Sequence, residues 1–430
     1  MSAPMATTVQ DGLIETAKRV LPAGSFGNLP GDVVIREGRG GRVWDENGKE
    51  YVDFLLGSGP MLVGHAHPEV TAAAQARIAQ GTTFFANNRW GIELAEAIVA
   101  ASPCAEQVRF VSSGSEADLY AMRVARAFTR RDKVLKFEGG YHGMSDYSLM
   151  SLAPKRQANF PAAIPDSAGI PRSLRDEMLI APFNNIDAVA GIVREHKDEL
   201  GAVILEPFQR IIPPAPGFLA ALRQLTAENG IPLIFDEVVT GFRLAYGGAQ
   251  EYYDVVPDLC TLGKVIGGGF PLAAIAGRAD IMAHFDRSKV GDDGFLMQVG
   301  TLSGNPVAAA AGLATLDILK RPGAYEQLHA TGRELMSTLD RLLREAGIPA
   351  QVIGEPPLFE AVFTTDTAPI RDYQGTARGD MDLARRFNAL LRERGILKGE
   401  QKYYVSLAHT EEDVRHTREA WASAIKVLLQ

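Results

Sequence analysis

The sequence predicts an α/β fold in which a mostly parallel β-sheet is covered by helices on both faces. From about residue 108 onward, short apolar runs alternate with segments of helical period, which favours strand–helix–strand units. After Pro306 helical segments dominate and short strand candidates lie between them, as is typical of a smaller α+β domain. The chain has 430 residues, too many for a single hydrophobic core, so we expect a large central domain with smaller flanking pieces.

Each predicted element has a local signal. A hairpin is expected over residues 38–54, because Asn47-Gly48 supplies the positive φ angles of a tight turn between two apolar arms. The larger strand candidates end in polar or glycine-containing segments and are residues 108–113, 133–139, 202–208, 232–238, 258–264 and 271–277. Helices are predicted at 115–128, 217–229, 306–319, 323–346, 380–394 and 411–429, with short strands at 358–364 and 403–408.

These patterns predict three parts of the chain. Residues 1–60 form an N-terminal segment that belongs to the small domain, residues 61–308 the large domain, and residues 309–430 the C-terminal part of the small domain.

The composition excludes several classes of protein. The net charge is −8 and no stripe of lysine or arginine is present, which argues against nucleic acid or an anionic membrane as a partner. No signal peptide or membrane-spanning segment is expected, and two cysteines supply neither a disulfide scaffold nor a cysteine-rich metal site. We therefore expect a cytoplasmic protein.

The residues that end the predicted strands carry the candidate chemistry, since ligands of open α/β sheets bind at the carboxyl ends of strands. Lys264 ends one apolar strand before a glycine-rich segment, where its amine could condense with an aldehyde cofactor or simply reach solvent. Asp236 ends another strand, where it could pair with a pyridinium nitrogen or cap the following segment.

Two further segments could surround a cofactor. Ser113 and Glu116 have the spacing of a capping box, and the helix start with Ser113, Gly114 and Ser115 could also hold a phosphate. Tyr141 follows the next strand and could stack on a flat heterocycle or cover the edge of the core. His65 and His67 lack a clustered third ligand, so no metal site is predicted.

In chain order, these residues and the sequence motifs around them resemble those of the class III aminotransferases of fold type I, which depend on pyridoxal 5′-phosphate (PLP). The resemblance is carried by DEVVTGFR at 236–243, GAQEYYDVVPDLCTLGKVIGGG at 248–269, GTLSGNP at 300–306 and SLAHTEEDV at 406–414. It covers nearly the whole chain, and within the class it looks closest to the glutamate-semialdehyde aminomutase branch. A seven-stranded sheet and an amino-transfer reaction between an amine and a keto or aldehyde acceptor are implied.

The resemblance also implies roles for single residues. Lys264 would form the Schiff base, Asp236 would pair with the ring nitrogen, and Val238 would pack on the ring opposite Tyr141. The phosphate would be held by Ser113, Gly114 and Ser115, and by Thr301 of a partner subunit in a homodimer. Glu206 and His142 would line the cofactor pocket.

Three departures from the family pattern bear on the substrate. Val239 replaces a common glutamine, the stretch 24–30 lacks a carboxylate-binding arginine, and the loop after Glu206 looks shorter, with Ile211 and Ile212 at commonly polar positions. We therefore expect substrates with a sizeable apolar part, near Phe84, Phe85 and Trp90, with Arg89 or Lys402 as the carboxylate partner. The alternative is that the aromatic residues belong to an interface core and that Arg89 is a solvated surface charge.

Two other functions remain open at this point. An aminomutase or racemase would use the same cofactor machinery, and a binding or regulatory protein could retain the fold without turnover. Lys264 and Asp236 argue against the second alternative.

Overall fold

The computed structural model describes residues 8–156 and 159–430. In chain order its strands are β1 (Ile35–Arg39), β2 (Arg42–Asp45), β3 (Glu50–Asp53), β4 (Gln107–Val111), β5 (Lys133–Phe137), β6 (Met178–Ala181), β7 (Leu200–Leu205), β8 (Leu233–Glu237), β9 (Leu259–Leu262), β10 (Ala273–Gly277), β11 (Ala350–Glu355), β12 (Leu358–Phe363), β13 (Ile396–Leu397) and β14 (Tyr403–Tyr404).

The helices lie between and after these strands. They are α1 (Val9–Val20), α2 (Pro68–Ile78), α3 (Arg89–Ala101), α4 (Gly114–Thr129), α5 (Ile186–His196), α6 (Phe218–Glu228), α7 (Gly248–Tyr253), α8 (Ala279–Met282), α9 (Arg287–Gly294), α10 (Pro306–Leu319), α11 (Ala324–Glu345), α12 (Tyr373–Ala377), α13 (Met381–Glu393) and α14 (Glu411–Leu428). In the part of the chain that the structure describes, no helix is both long and apolar enough to cross a membrane.

The central sheet has seven strands in the order β4-β10-β9-β8-β7-β5-β6. Strand β10 runs antiparallel to both of its neighbours, and all other pairs are parallel. The predicted mostly parallel, seven-stranded sheet is therefore confirmed. Strand β6 was not predicted, because its four residues follow directly on the charged stretch RSLRDE.

Both faces of this sheet are buried, as parallel sheets require. Successive strand residues pack into different cores: Leu205 and Phe235 belong to one cluster, whereas Ile204 and Ile234 belong to the other. Near-continuous apolar runs in the sequence are the result of this two-sided burial.

Two smaller sheets flank the central one. Strands β1, β2, β3 and β13 form the first, in which β13 pairs parallel with β3, and β11, β12 and β14 form the second. The N-terminal hairpin and a C-terminal strand thus share one sheet.

The hairpin turn and the last strand differ from their predictions. Four residues connect β2 and β3, and of the Asn47-Gly48 pair only Gly48 has a positive φ, of 82°, because Asp45 Oδ1 accepts hydrogen bonds from the N–H groups of Asn47 and Lys49. Strand β14 stops at Tyr404, because Ser406 and His409 form a turn in which the Ser406 N–H donates to His409 Nδ1 at 3.2 Å.

The predicted helices are confirmed to within two residues at each end. The start of α14 shows why, since Thr410 and Asp413 form a reciprocal capping box that fixes where the helix begins.

Candidate active site

A cleft of about 320 Å³ lies where the carboxyl ends of β4, β5, β7, β8 and β9 meet. This is the position at which open α/β sheets bind ligands. The cleft is lined by Pro60, Ser112, Ser113, Gly114, Ser115, Asp118, Tyr141, Gly143, Glu206, Asp236, Val238, Val239, Lys264, Gly269, Phe270, Pro271 and Leu272.

Lys264 follows β9 and projects into this cleft. Its backbone has a φ of +49°, a left-handed conformation that is uncommon for a residue other than glycine and that tends to occur at functional sites. Its amine makes no hydrogen bond or ion pair with the described residues. Burial lowers the pKa of Lys264, which favours the neutral, nucleophilic form of the amine.

A second lysine, Lys136, is also buried, and burial lowers its pKa to about 7. Its Nζ, however, donates hydrogen bonds to the carbonyl oxygens of Ser148 and Met150, both at 2.7 Å. Lys136 does not line the cleft, so of these two buried amines only that of Lys264 is free to react there.

Asp236 and Glu237, at the end of β8, point in opposite directions as strand residues do. Asp236 lines the cleft, where His142 Nδ1 donates to its Oδ2 at 2.8 Å and the Val238 N–H donates to its Oδ1 at 3.1 Å. Glu237 accepts hydrogen bonds behind the sheet from the Ala249 N–H and Gln250 Nε2. Asp236 is therefore the carboxylate available to a ligand.

A second buried acid, Asp118, lines the cleft beside Asp236 and was missed by the sequence analysis. Thr261 Oγ1 donates to Asp118 Oδ1 at 2.6 Å and lies 3.4 Å from Asp236 Oδ1. Burial, and secondarily the charge of Asp236, raises the pKa of Asp118 well above its usual value. Asp118 therefore takes up a proton more readily than an ordinary exposed aspartate does.

Asp118, His142 and Asp236 offer ligand atoms within 4.8 Å of one another, the spacing of a possible metal site. His142 Nδ1 already bonds to Asp236 and Thr261 already bonds to Asp118, whereas His142 Nε2 is buried without a hydrogen-bond partner among the described residues. The cluster is explained as a hydrogen-bond network that holds the Asp236 carboxylate in place.

The start of α4 forms the opposite end of the cleft. The side chain of Ser113 accepts a hydrogen bond from the Glu116 N–H, and the Glu116 carboxylate accepts one from the Ser113 N–H. This is the predicted capping box. Ser115 Oγ accepts from the Met144 N–H at 3.1 Å. At Gly114 an added Cβ would lie only 3.0 Å from Val238, so glycine keeps this wall of the cleft open.

Tyr141 and Glu206 line the cleft, and the Tyr141 N–H donates to Glu206 Oε2 at 2.9 Å. His142, which is also predicted to line the cofactor pocket, is not among the residues that line this cleft. The imidazole is buried behind Asp236, because its Nδ1 bonds to that carboxylate, so His142 orients Asp236 from outside the cleft.

The remaining predicted residues do not line the cleft of their own chain. One of them, Lys402, lines a neighbouring cavity of about 440 Å³. Thr301 lies in an exposed loop that is tied to the segment before α3, since Thr83 Oγ1 donates to the Thr301 carbonyl and Asn88 Nδ2 to the Gly304 carbonyl. Phe84 and Phe85 are exposed, Trp90 lies under Arg77, and Arg89 is 75% exposed and pairs with Glu93 at 2.6 Å.

The model of the aminotransferase class-III family matches residues 25–402. The chain belongs to the class-III aminotransferases. It shares 34% identity with an omega-transaminase from Sphaerobacter thermophilus, at a TM-score of 0.92 over 99% of this chain and 98% of the other. A β-phenylalanine aminotransferase from Variovorax paradoxus follows at 30%, with a TM-score of 0.86 over 97% and 94%. A glutamate-1-semialdehyde aminomutase from Pseudomonas aeruginosa PAO1 has 26% identity and a TM-score of 0.85, again over 97% and 94%.

Class-III aminotransferases are PLP-dependent enzymes, and related proteins of this fold, among them a transaminase, hold PLP. The residues of the cleft fit this cofactor. The open helix start at Gly114 offers N–H groups to a phosphate, Asp236 offers a buried carboxylate to a ring nitrogen, and Lys264 offers an unpaired amine. The predicted fold, family, cofactor and aminotransferase activity are thus confirmed.

Proposed function

We propose that Lys264 and Asp236 are the catalytic residues of this aminotransferase and that Ser113, Gly114, Ser115, Tyr141, Glu206 and Val238 surround PLP. The observation that carries the proposal is the unpaired amine of Lys264 at the strand end beside Asp236. Strands β8 and β9 are hydrogen-bonded neighbours, so the two side chains reach the same cleft. His142 and Thr261 are positioning residues for Asp236.

The roles follow from the position of each side chain. When bound, PLP supplies an electron-accepting ring for the pair of electrons left after the substrate loses its α-proton. Asp236 holds the proton on the ring nitrogen, and Tyr141 and Val238 fix the plane of the ring between them. Lys264 Nζ, with its pKa lowered by burial, would remove the α-proton of the amino donor in one half-reaction and would give a proton to the carbonyl carbon of the acceptor in the other.

We further propose a homodimer in which Thr301 completes the phosphate site of the partner subunit. The surface formed by residues 83–92 and 297–304 supports this. Hydrogen bonds hold the two segments together, and the surface carries several exposed apolar side chains around Thr301. These side chains are Phe84, Phe85, Ile92, Met297, Val299 and Leu302. In such a dimer Phe84, Phe85, Arg89 and Trp90 would border the partner's substrate entrance.

Val299→Lys should convert the dimer to monomer and weaken PLP retention together. Val299 is 68% exposed in the single chain, and a surface substitution at such a position usually changes the folding free energy by less than about 0.5 kcal/mol. Sedimentation velocity and PLP dissociation, measured on the same sample, check this. Leu429→Lys, directly after the C-terminal helix α14, is the matched control, and a fully active wild-type monomer would contradict the proposal.

For the substrate, we propose an amine or amino acid with a sizeable apolar part, with a keto or aldehyde compound as acceptor. The β-phenylalanine aminotransferase among the structural relatives makes aromatic β-amino acids the first compounds to test. An assay with these donors and pyruvate or 2-oxoglutarate should yield alanine or glutamate. Rearrangement without net transfer would instead favour an aminomutase or racemase, an alternative supported by the aminomutase relative.

We also propose that the enzyme resides in the cytoplasm and that the domain boundaries lie near residues 60 and 308. Cys104 and Cys260 are buried, adjacent free thiols, which suits a reducing compartment. The pairing of β3 with β13 supports one small domain made from both ends of the chain. Cell fractionation and limited proteolysis test these two statements.

A further inference from the structure

The cleft of the cofactor opens beside a second, larger cavity of about 440 Å³, and Tyr141 lines both. The second cavity lies between the segment after β7 and the elements β12, α12 and α13. A substrate held at Lys264 could therefore extend past Tyr141 into this cavity. Its size is within the range of small-molecule sites.

A tight turn presents Arg210 to the second cavity, beside Tyr141. The backbone groups of Gln209 and Ile212 exchange two hydrogen bonds, of 3.0 and 2.8 Å, across the turn, and Arg210 at its tip has a φ of +62°. Buried Ile211 and Ile212 anchor the turn, and the Gln209 side chain donates to the Glu138 carbonyl. The guanidinium carbon of Arg210 consequently lies 5.4 Å from the centre of the Tyr141 ring.

Arg210 and Lys402 line this second cavity without a counter-ion. Neither side chain makes an ion pair or a hydrogen bond with residues 8–156 and 159–430. Burial lowers the pKa of Lys402 to about 7, and the charge of Arg210 contributes to that lowering. Two neighbouring cations without a counter-ion destabilise each other, and together they form a binding site for an anion.

The carboxylates near this pair are engaged elsewhere. Glu206 accepts from the Tyr141 N–H, and Glu360 pairs with Lys398 at 2.7 Å. Asp380 caps the start of α13, and Glu400 is exposed at the rim. These acids make the cavity mixed in charge, but none of them neutralises Arg210 or Lys402 by contact.

Part of the cavity wall is formed by apolar side chains. Side chains of this kind suit the non-polar part of a ligand whose charged end lies at Arg210. They are Ile211, Ile212, Ala361, Val362, Phe363 and Met381.

We propose that Arg210, assisted by Lys402, binds the carboxylate of an amino acid substrate and thereby determines substrate specificity. The guanidinium offers paired N–H donors to the two carboxylate oxygens, a stronger arrangement than a single neutral hydrogen bond. The inference rests on the proposed aminotransferase site and adds the residues that select among its substrates. In this proposal Arg210, from the loop after Glu206, takes the place of the arginine that the N-terminal stretch 24–30 lacks.

The test compares Arg210→Gln with wild-type holoenzyme on 3-amino-3-phenylpropanoate and on 1-phenylethylamine, which lacks the carboxymethyl carboxylate. We expect kcat/KM to fall roughly 10- to 100-fold for the acid and to change less than about threefold for the amine. Arg210→Lys should recover part of the loss, and Lys402→Met should show a smaller loss with the same selectivity. Arg341→Gln, in an exposed ion pair with Glu345 on α11, is the matched arginine control and should leave both substrates unaffected. Arg89→Ala is measured beside it, because Arg89 is the rival carboxylate partner.

Binding of 3-phenylpropanoate, which has no amino group and cannot react, provides a readout independent of turnover. Its Kd, measured by calorimetry, should rise in Arg210→Gln by the same factor, whereas that of the neutral 3-phenylpropanamide should not. Equal losses for acid and amine, no loss, or a selective loss only in Arg89→Ala would each overturn the assignment. If wild-type enzyme transfers no amino group from either donor or from a wider panel of amines, the proposed function itself fails.

Discussion

Lys264→Ala should slow amino transfer by at least about 10²- to 10⁴-fold, the usual effect of losing a positioned general base. The loss should be larger still, because the same amine is proposed to carry the cofactor. PLP should nevertheless remain bound, since the helix start at Gly114, Asp236 and Tyr141 are untouched by the change. Steady-state kinetics and a PLP titration of the same variant measure these two effects separately.

The attachment site itself is tested without reference to activity. Borohydride reduction of the wild-type holoenzyme, followed by peptide mapping, should place a pyridoxyl group on Lys264. Lys136 is the strongest rival, because it is equally buried and its pKa is also lowered, to about 7. A label on Lys136 or Lys133 would contradict the assignment, as would substantial turnover in Lys264→Arg, which keeps the charge but loses the amine.

The sequence was sufficient for the parts of the site that end long strands. Lys264, Asp236 and Tyr141 could be identified because each follows an apolar run, and parallel strands bring their carboxyl ends to one edge, whereas the role of Glu206 was implied only by the family resemblance. The opposite directions of Asp236 and Glu237 also follow from the period of a strand. Such residues are set by local pattern and by sheet direction alone.

Residues that act through long-range packing were not accessible in this way. Asp118 lies on α4, far in sequence from Thr261 and Asp236, and only the packing of the helix on the sheet places the three together. An acid on an otherwise apolar helix face was the one available signal. The sequence placed His142 near the site. Its hydrogen bond to Asp236, however, holds the imidazole behind the cleft.

Arg210 shows a second limit. The departure in its loop was visible, but the orientation of the arginine depends on a left-handed backbone angle and on the cavity formed with β12 and α13. The segment with Phe84 and Arg89 shows the converse, since its aromatic character was clear but its exposure in the single chain was not. In the proposed dimer, the assembly of subunits, which no local pattern encodes, would determine what this surface contacts.

Asp236→Asn should bind PLP and lose most of its activity, with a fall in kcat of roughly 10²- to 10⁴-fold. Removing one partner from a buried charge pair typically costs about 3–5 kcal/mol, and about 1.4 kcal/mol corresponds to a tenfold change in rate. The asparagine keeps the shape of the side chain and can still bond to His142, so the fold should be preserved. Kinetics of the reconstituted enzyme, with cofactor content determined independently, measure the loss.

Asp118→Asn is the matched control, because it makes the same substitution in the adjacent buried acid. Burial and the neighbouring Asp236 raise the pKa of Asp118, which favours the neutral form of this carboxyl group. Replacing this acid by an amide of similar size should change kcat less than about threefold, since the carboxylate of Asp236 at the ring nitrogen is kept. Comparable losses in the two variants would show that both acids share the charge. Near wild-type turnover in Asp236→Asn would show that another group holds the proton on the ring.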